Sequence, residues 1–408
     1  MLKYNYQKGG SILGQGSYGL IIHPSLTCGN LDYSNKDGFV SKIIDSSDIS
    51  SEYTDIISRD ALNITEVDPS SQYLLYPIST CGDIQDFQDK DMTQLKRYLS
   101  NKKRGSKAVP ARKLSNKSDI IRLLNRNYSN IVMPKGEFDL NSSENVKKIP
   151  INHLTHGIVN IIMATKKMSQ NRIAHRDIKP LNIIYHQNTL KLIDFGLSIK
   201  NKADNIWREY LFETVYIYWS LDYKIIEQFW KFTGNKKTSL YIPNQLNKKE
   251  MPKIMKSIYG LVNKFFDDLS LYGINTDKIL SKSKCLVELT NYLTSLMKMY
   301  NNNLSNKTKI MNEYARCVYN LDTFSLAISI FQIVENSNLN DDIKLVISEI
   351  LKKYLHLNHN KRSSLNEMLV DICNFFITLR PDQFNLSQIE REIISIFGED
   401  IYSQINIQ

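Results

Sequence analysis

The apolar pattern of this chain changes period near residue 150, and that change restricts the folds open to it. Before that point, Leu20-Ile21-Ile22 and Phe39-Val40-Ser41-Lys42-Ile43-Ile44 are short β-rich runs separated by the turn-rich stretch TCGNLDYSNKDG. Residues 49–66 suit one helix ending before Asp68-Pro69, Tyr73-Leu74-Leu75-Tyr76 is a further strand candidate, and Ile131-Val132-Met133 resumes the strand pattern. After it the spacing is helical. Residues 152–169 place Leu154, Ile158, Ile161 and Ile162 on one face, and residues 251–272 and 277–300 are amphipathic. A β-rich part followed by a larger helical part predicts an α+β chain of two tightly docked lobes, without internal repeats.

Composition narrows the classes further. The 408 residues are 42% hydrophobic, enough for a sizeable core. No window approaches the roughly eighteen uninterrupted apolar residues of a membrane helix. The polar start MLKYNYQKGG lacks the apolar centre of a signal peptide, so a soluble, intracellular, cytoplasmic protein is expected. Cysteines at 28, 81, 285, 317 and 373 form no C-x-x-C pair. They predict a reducing compartment and five buried or incidental thiols. The net charge of +10 is concentrated: residues 94–117 hold nine Lys or Arg and no acid, and residues 231–312 hold fourteen Lys against five acids. The remainder of the chain is net acidic. The two basic segments are open to two readings, solvated insertion surface or contact with nucleic acid or an anionic membrane.

Phosphate chemistry enters with the spacing Gly14-x-Gly16-x-x-Gly19. Alone it fits a dinucleotide turn, a cover over ATP phosphates or a plain flexible turn. A dinucleotide site would continue into a helix, whereas here Leu20-Ile21-Ile22 and Pro24 continue as a strand. A glycine turn between two strands lets backbone N–H groups approach phosphate oxygens. Leu13 and Ile21 extend the pattern to L-G-x-G-x-x-G-x-[VI], with Gln15, Ser17, Tyr18 and Leu20 inside it.

Residues 174–185 read AHRDIKPLNIIY and residues 190–198 read LKLIDFGLS. In these motifs the chain resembles the protein kinase superfamily: His175 to Asn182 matches the catalytic loop H-R-D-x-K-x-x-N, and Asp194-Phe195-Gly196 the metal-binding motif. The resemblance implies a bilobal fold, a small antiparallel-sheet lobe with one helix (residues 1–136) and a larger helical lobe (residues 137–408). It implies an enzyme transferring the γ-phosphoryl group of Mg-ATP to protein substrates, with Mn²⁺ compatible with the same ligands. Asp177 would accept the proton of the incoming hydroxyl, and Lys179 would neutralise charge on the γ-phosphate. Asn182 and Asp194 would offer the hard oxygen ligands Mg²⁺ prefers. Lys42 would hold the α- and β-phosphates, paired with a carboxylate from the next helix, for which Glu52 is chosen over Asp55, Asp60 and Glu66. Lys179 favours serine/threonine specificity. Asp322 matches the aspartate of D-x-[WF]-S-L-[GA], which braces the catalytic loop. Arg362 matches a buried arginine that pairs the glutamate of A-P-E, where this chain carries the shorter Asp222.

The chain departs from the usual kinase plan in its long first hairpin and in insertions at about 81–127 and 223–319, the first read as a long loop with some helix. The long hairpin, the Asp68-Pro69 turn and the YW-x-x-[DE] ending resemble kinases of large DNA viruses, poxvirus-type enzymes included, for which host cytoplasm or virion would be the setting. Tyr210, Thr214 and Tyr216 are candidate phosphosites facing Arg176, and Trp207, Trp219 and Trp230 are read as core packing. A pseudokinase or scaffold with the same fold and a small-molecule kinase of the aminoglycoside type are the alternatives. Intact Lys42, Asp177, Asn182 and Asp194 oppose the first, and Lys179 with the Asp322 and Arg362 motifs opposes the second.

Overall fold

A computed structural model describes residues 11–15, 19–26, 28, 36–58, 61–82, 84, 92–101, 116–200, 216–225, 251–271, 274, 281–301, 306–379 and 384–405. The chain divides into two compact units, Met1–Glu137 with Ile193–Gly196, and Phe138–Leu192 with Leu197–Gln408. Both combine antiparallel strands with helices, so the α+β class holds.

The first unit is built on strands β1 (Ser11–Gln15), β2 (Leu20–His23), β3 (Phe39–Asp45), β4 (Ser79–Cys81) and β5 (Tyr128–Pro134). They form one antiparallel sheet in the order β1-β2-β3-β5-β4. Side chains alternate across a strand: Leu20 and Ile22 enter the core with Ile43, while Ile21 stands opposite Lys42. The helix expected over 49–66 is broken. A wide turn at Ser50–Thr54 runs into the short α1 (Asp55–Ile57), and α2 (Ile64–Val67) follows Asn63, whose φ is 56°. Short hydroxyl side chains compete with the helix for its polar groups: Ser50 Oγ donates to Asp55 Oδ2 at 3.2 Å and Ser51 Oγ to the Asp48 carbonyl at 3.1 Å. Tyr73–Tyr76 is likewise not a strand beyond a single bridge at Leu74. The buried Asp68 carboxylate takes the backbone N–H groups of Gln72, Tyr73 and Leu74 at 3.2, 2.7 and 2.8 Å, standing in for a neighbouring strand.

The basic stretch at 81–127 is more than a loop. Helices α3 (Met92–Asn101) and α4 (Lys117–Asn127) send Leu95, Tyr98, Leu99, Ile120 and Leu124 into the core shared with Leu20, Ile22 and Ile43. Their spacing of three and four residues puts them on one helical face, and asparagine at 116 caps α4 by accepting from the Asp119 amide at 2.9 Å. The lysines and arginines had masked that apolar stripe in the sequence. The cysteine reading also needs correction. Cys28 and Cys81, 53 residues apart, are joined in a disulfide with a Cα separation of 5.6 Å, and only Cys285, Cys317 and Cys373 are free among the described residues. No local spacing betrays a bridge across that distance, and this one removes the cysteine argument for a reducing compartment.

The second unit opens with β6 (Phe138–Asp139), α5 (Ser143–Lys147) and α6 (Ile151–Gln170), the last close to the range expected from its apolar face. Strands β7 (Ile173–Ala174), β8 (Ile183–His186), β9 (Thr189–Leu192) and β10 (Ile199–Lys200) form a three-stranded sheet, β6-β8-β9, and a separate β7–β10 pair. Helices α7 (Met251–Leu271), α8 (Lys282–Asn301), α9 (Asn306–Asn336), α10 (Asp341–Leu351), α11 (Leu365–Leu379), α12 (Glu390–Phe397) and α13 (Glu399–Tyr402) complete it. One stretch of α9, Ala315–Asn336, is long and apolar enough to cross a membrane, but 83% of its most apolar window is buried within the protein. It behaves as a core helix: Ser325 Oγ donates to the Tyr218 carbonyl at 2.5 Å and Ser329 Oγ to the Ile178 carbonyl at 3.3 Å. The same helix carries the end of the region read as an insertion and the Asp322 motif.

Candidate active site

In the first unit, Lys42 on β3 extends Nζ to Glu52 Oε2 at 2.5 Å and lies 3.9 Å from Asp194 Oδ1. The three residues come from a strand, the wide turn after it and a segment some 150 positions later in the sequence. Burial pushes the Glu52 carboxyl up, against the pull of Lys42, and the nearby Asp194 charge adds to the rise. One glycine is required by this packing and a second sits in a tight spot. A Cβ on Gly19 would stand 2.6 Å from the Ile43 carbonyl oxygen, so only glycine lets the hairpin lie so close over β3. A Cβ on Gly196 would stand 3.0 Å from Glu52 Oε1, so the glycine of Asp194-Phe195-Gly196 makes room for the carboxylate. Gly14 and Gln15 pair with Ile21 and Leu20 in the hairpin, and Leu13 is exposed. Gly16, Ser17 and Tyr18 lie outside the described residues. Leu20 is buried in the core, which leaves only its backbone for a ligand.

In the second unit, the loop after β7 is held by three hydrogen bonds from two residues. The Asp322 carboxylate accepts the backbone N–H groups of His175 and Arg176 at 2.6 and 2.8 Å. Trp219 Nε1 donates to the Arg176 carbonyl at 2.7 Å. Arg176 takes the left-handed φ of 66°, and the loop turns the Asp177 carboxylate toward its own neighbours. Lys179 Nζ reaches Asp177 Oδ2 at 2.8 Å and Oδ1 at 3.1 Å, and Asn182 Nδ2 donates to Oδ2 at 2.8 Å. With that nitrogen committed, the Asn182 amide oxygen is the atom a cation would use. The Tyr216 hydroxyl donates to Asp177 Oδ1 at 2.5 Å.

These positions carry the features a phosphoryl-transfer site needs: a lysine fixed by a carboxylate, hard oxygen donors, and a carboxylate within reach of a hydroxyl. Residues 113–217 match the protein kinase domain family. The serine/threonine-protein kinase MPS1 of Encephalitozoon cuniculi (strain GB-M1) is 28% identical over 103 residues, 24% of this chain and 18% of that protein. The serine/threonine-protein kinase mph1 of Schizosaccharomyces pombe (strain 972 / ATCC 24843) is 35% identical over 109 residues, 24% of this chain and 16% of that protein. The chain thus spans less than a fifth of either curated relative. Family and relatives together support the eukaryotic protein kinase superfamily at low identity. Asp177, Lys179, Asn182, Asp194 and Tyr216 fall inside the kinase-domain match, while Lys42, Glu52, Asp222, Asp322 and Arg362 lie outside it.

Behind the kinase-like loop sits a buried ionic cluster that the motifs disclosed only in part. Asp222 and Arg362 pair as expected, Nη2 lying 3.1 Å from Oδ1, and the guanidinium also donates to the carbonyls of His356 and Asn320. The lost methylene is answered by His359, whose backbone N–H donates to Asp222 Oδ2 at 2.6 Å and whose Nδ1 lies 3.2 Å from the same oxygen. Its Nε2 lies 3.1 Å from Glu313 Oε1 on α9. Burial alone would lower the imidazole, but Asp222, Cys317 and Glu313 overcome it and raise His359 to about 11. Asp222, Cys317 and His359 offer ligand atoms within 4.8 Å of one another. Arg362 and His359 already engage that carboxylate, and burial pushes the Cys317 thiol up to about 11, so the cluster as it stands is a set of ion pairs. His359 and Glu313 escaped the sequence reading, although His359 stands where the family motif D-P-x-x-R-x-[ST] places proline. Trp219 is buried as expected, with a brace on Arg176 that packing alone did not foretell. Trp207, Trp230, Tyr210 and Thr214 lie outside the described residues.

Proposed function

We propose that this chain is a protein kinase that transfers the γ-phosphoryl group of Mg-ATP to serine and threonine hydroxyls of protein substrates. The observation that supports the reading is the Asp177 carboxylate, fixed by Lys179 and Asn182 within the residues that match the protein kinase domain. A general base must be held within reach of the proton it takes. Lys42, held by Glu52, would bind phosphate oxygens, and the backbone of Gly14, Gly16 and Gly19 would cover them. The Asn182 amide oxygen and the Asp194 carboxylate are each a hard oxygen donor of the kind Mg²⁺ or Mn²⁺ takes, and a bound ion would neutralise phosphate charge. Asp177 would take the acceptor proton, and Lys179 would offset charge beside it. An intracellular setting belongs to the same proposal, from the need for ATP. The narrower likeness to kinases of large DNA viruses rests on the long hairpin and the Tyr218-Trp219 ending, and contact of the basic segments with nucleic acid or membrane rests on charge alone.

One observation favours a second reading, a binding module with the kinase fold: the acceptor position on Asp177 is taken by Tyr216. Incubation of the chain with labelled ATP, Mg²⁺ and a serine/threonine peptide library separates the two. Label transfer by the wild type, lost by about 10³-fold or more in Asp177→Ala, is expected. Equal transfer by both proteins would refute the kinase.

A further inference from the structure

Three segments far apart in sequence bring a thiol, an imidazole and a carboxylate together in the second unit: Cys317 on α9, His359 in the turn His359–Lys361, and Asp222. His359 Nδ1 lies 3.0 Å from Cys317 Sγ and 3.2 Å from Asp222 Oδ2, and the three ligand atoms fall within 4.8 Å of one another. Tetrahedral Zn²⁺, with bonds of about 2.0–2.3 Å, sets its ligand atoms about 3.3–3.6 Å apart, so the sulfur has only to withdraw by about half an ångström. The donor set is selective. Thiolate with imidazole suits Zn²⁺, whereas Mg²⁺ and Ca²⁺ take oxygen ligands. All three residues are buried, as the ligands of a closed structural site are. The ring is also oriented as a ligand's would be. Its other nitrogen, Nε2, lies 3.1 Å from Glu313 Oε1, and Glu313 stands one turn before Cys317 on the same face of α9. A metal-bound imidazole ordinarily gives its second N–H to a carboxylate, which leaves Nδ1 for the ion. Asn360 Nδ2 donates to the same Glu313 oxygen at 3.0 Å, so that carboxylate is itself held. On α8, Tyr292 Oη lies 3.3 Å from Cys317 Sγ and places an oxygen beside the sulfur.

We propose that Asp222, Cys317 and His359 form a structural Zn²⁺ site, with Glu313 orienting the imidazole and Tyr292 at the fourth position. The site is separate from the Asp177 loop, and the inference does not depend on the kinase reading. On binding, Zn²⁺ replaces two protons, one from the Cys317 sulfur and one from His359 Nδ1, and both leave for solvent. The charge of the ion equals that of the two protons, so the buried cluster of Asp222, Glu313 and Arg362 keeps its net charge. Arg362 stays on the carboxylate: its Nη2 is nearer Asp222 Oδ1, at 3.1 Å, while Oδ2 faces the ring. Without the ion, the protons hold the same atoms together as the ion pairs described above. With it, coordinate bonds join the segment after the candidate site, α9 and the turn at His359, and the binding free energy adds to the stability of the fold.

The test reads metal, not activity. Full-length chain is produced with Zn²⁺ in the medium and without a polyhistidine tag, and its metal content is measured by inductively coupled plasma mass spectrometry. One zinc per chain is expected in the wild type and none in Cys317→Ser, with circular dichroism to show that the variant is folded. In competition with a chelator, Glu313→Gln is expected to hold zinc about 10–100-fold more weakly than wild type. Wild type produced with Co²⁺ in place of Zn²⁺ should show the near-ultraviolet charge-transfer band of a thiolate on the metal. That band is read on the wild type, so the assignment is tested even if Cys317→Ser does not fold. A wild type without zinc overturns the proposal. So does zinc held with wild-type affinity by folded Cys317→Ser, or a Co²⁺-loaded wild type without the sulfur band. Loss of peptide phosphorylation with zinc retained would refute the kinase reading and leave this site standing.

Discussion

Two aspartates of the second unit, Asp222 and Asp322, are both buried, yet the fold treats their charges in opposite ways. Asp222 meets full cations. Burial would raise it, but Arg362 and His359 more than compensate and hold the carboxyl below its ordinary value. Asp322 accepts two backbone N–H groups, and burial outweighs the pull of the nearby His175, of those two bonds and of Arg176, leaving the carboxyl raised. Both aspartates are anchors, one tying the segment after the candidate site to the end of the fold, the other tying the loop that carries Asp177 to α9. The contrast teaches that a buried carboxylate is secured by whatever its neighbours donate, and that only a cationic partner also fixes its charge.

The largest effect should come from removing the cation-paired member. Asp222→Ala leaves Arg362 and an imidazolium buried without their shared carboxylate, and a loss of about 3–5 kcal/mol in urea-monitored stability is expected. A loss below about 1 kcal/mol would break the comparison, because it would mean that Arg362 and His359 find other partners at no cost.

A smaller effect should follow Asp322→Asn, which keeps the shape but offers one oxygen to two backbone donors. About 1–3 kcal/mol of stability should go with the unmet N–H group, together with most peptide phosphorylation, since the loop carrying Asp177 loses its fixing point. The two aspartates should also respond to acid with opposite signs. Asp222 contributes stability that is present above the ordinary value of 3.8 and lost as pH falls through its lowered folded value. Asp322 contributes stability that is present below 3.8 and lost as pH rises through its raised folded value. Unfolding midpoints measured against pH should therefore show wild type gaining on Asp322→Asn as the pH falls through the raised folded value, and a gap that narrows on acidification would count against the assignment.

The finest test concerns His359 alone. Its folded value of about 11 lies above the ordinary 6.5, so its contribution is complete below 6.5 and declines as pH rises toward 11. The stability difference between wild type and His359→Gln should shrink steadily over that interval, measured by denaturant titration at pH 7, 8.5 and 10. A constant difference would mean that the imidazole is neutral between Asp222 and Glu313.

Much of this was legible in the residues themselves. The β-rich run Phe39–Ile44 predicts β3, the face formed by Leu154, Ile158, Ile161 and Ile162 predicts α6, and the order of Lys42, Asp177, Asn182 and Asp194 points to the protein kinase resemblance before any coordinate. Periodicity and motif spacing are local properties, and local backbone geometry reads them directly. The choice of Glu52 among four acids also agrees with the pair it makes, because the residue opening a helical segment after β3 is the one carried toward the strand. The helix over 49–66 broke where Ser58 turns extended, at ψ 135°, and Asn63 takes a left-handed φ of 56°.

What only the tertiary structure decided is where distant residues meet. That Cys28 bonds Cys81, that apolar residues inside a lysine-rich stretch complete the sheet's core, that His359 and Glu313 make up for a missing methylene beside Asp222, and that Tyr216 rests on Asp177 are all contacts between segments far apart in sequence. A linear chain specifies which groups are available and which face of an element they share. It does not specify which partners desolvation will select, because that depends on burial, and burial exists only once the segments have packed.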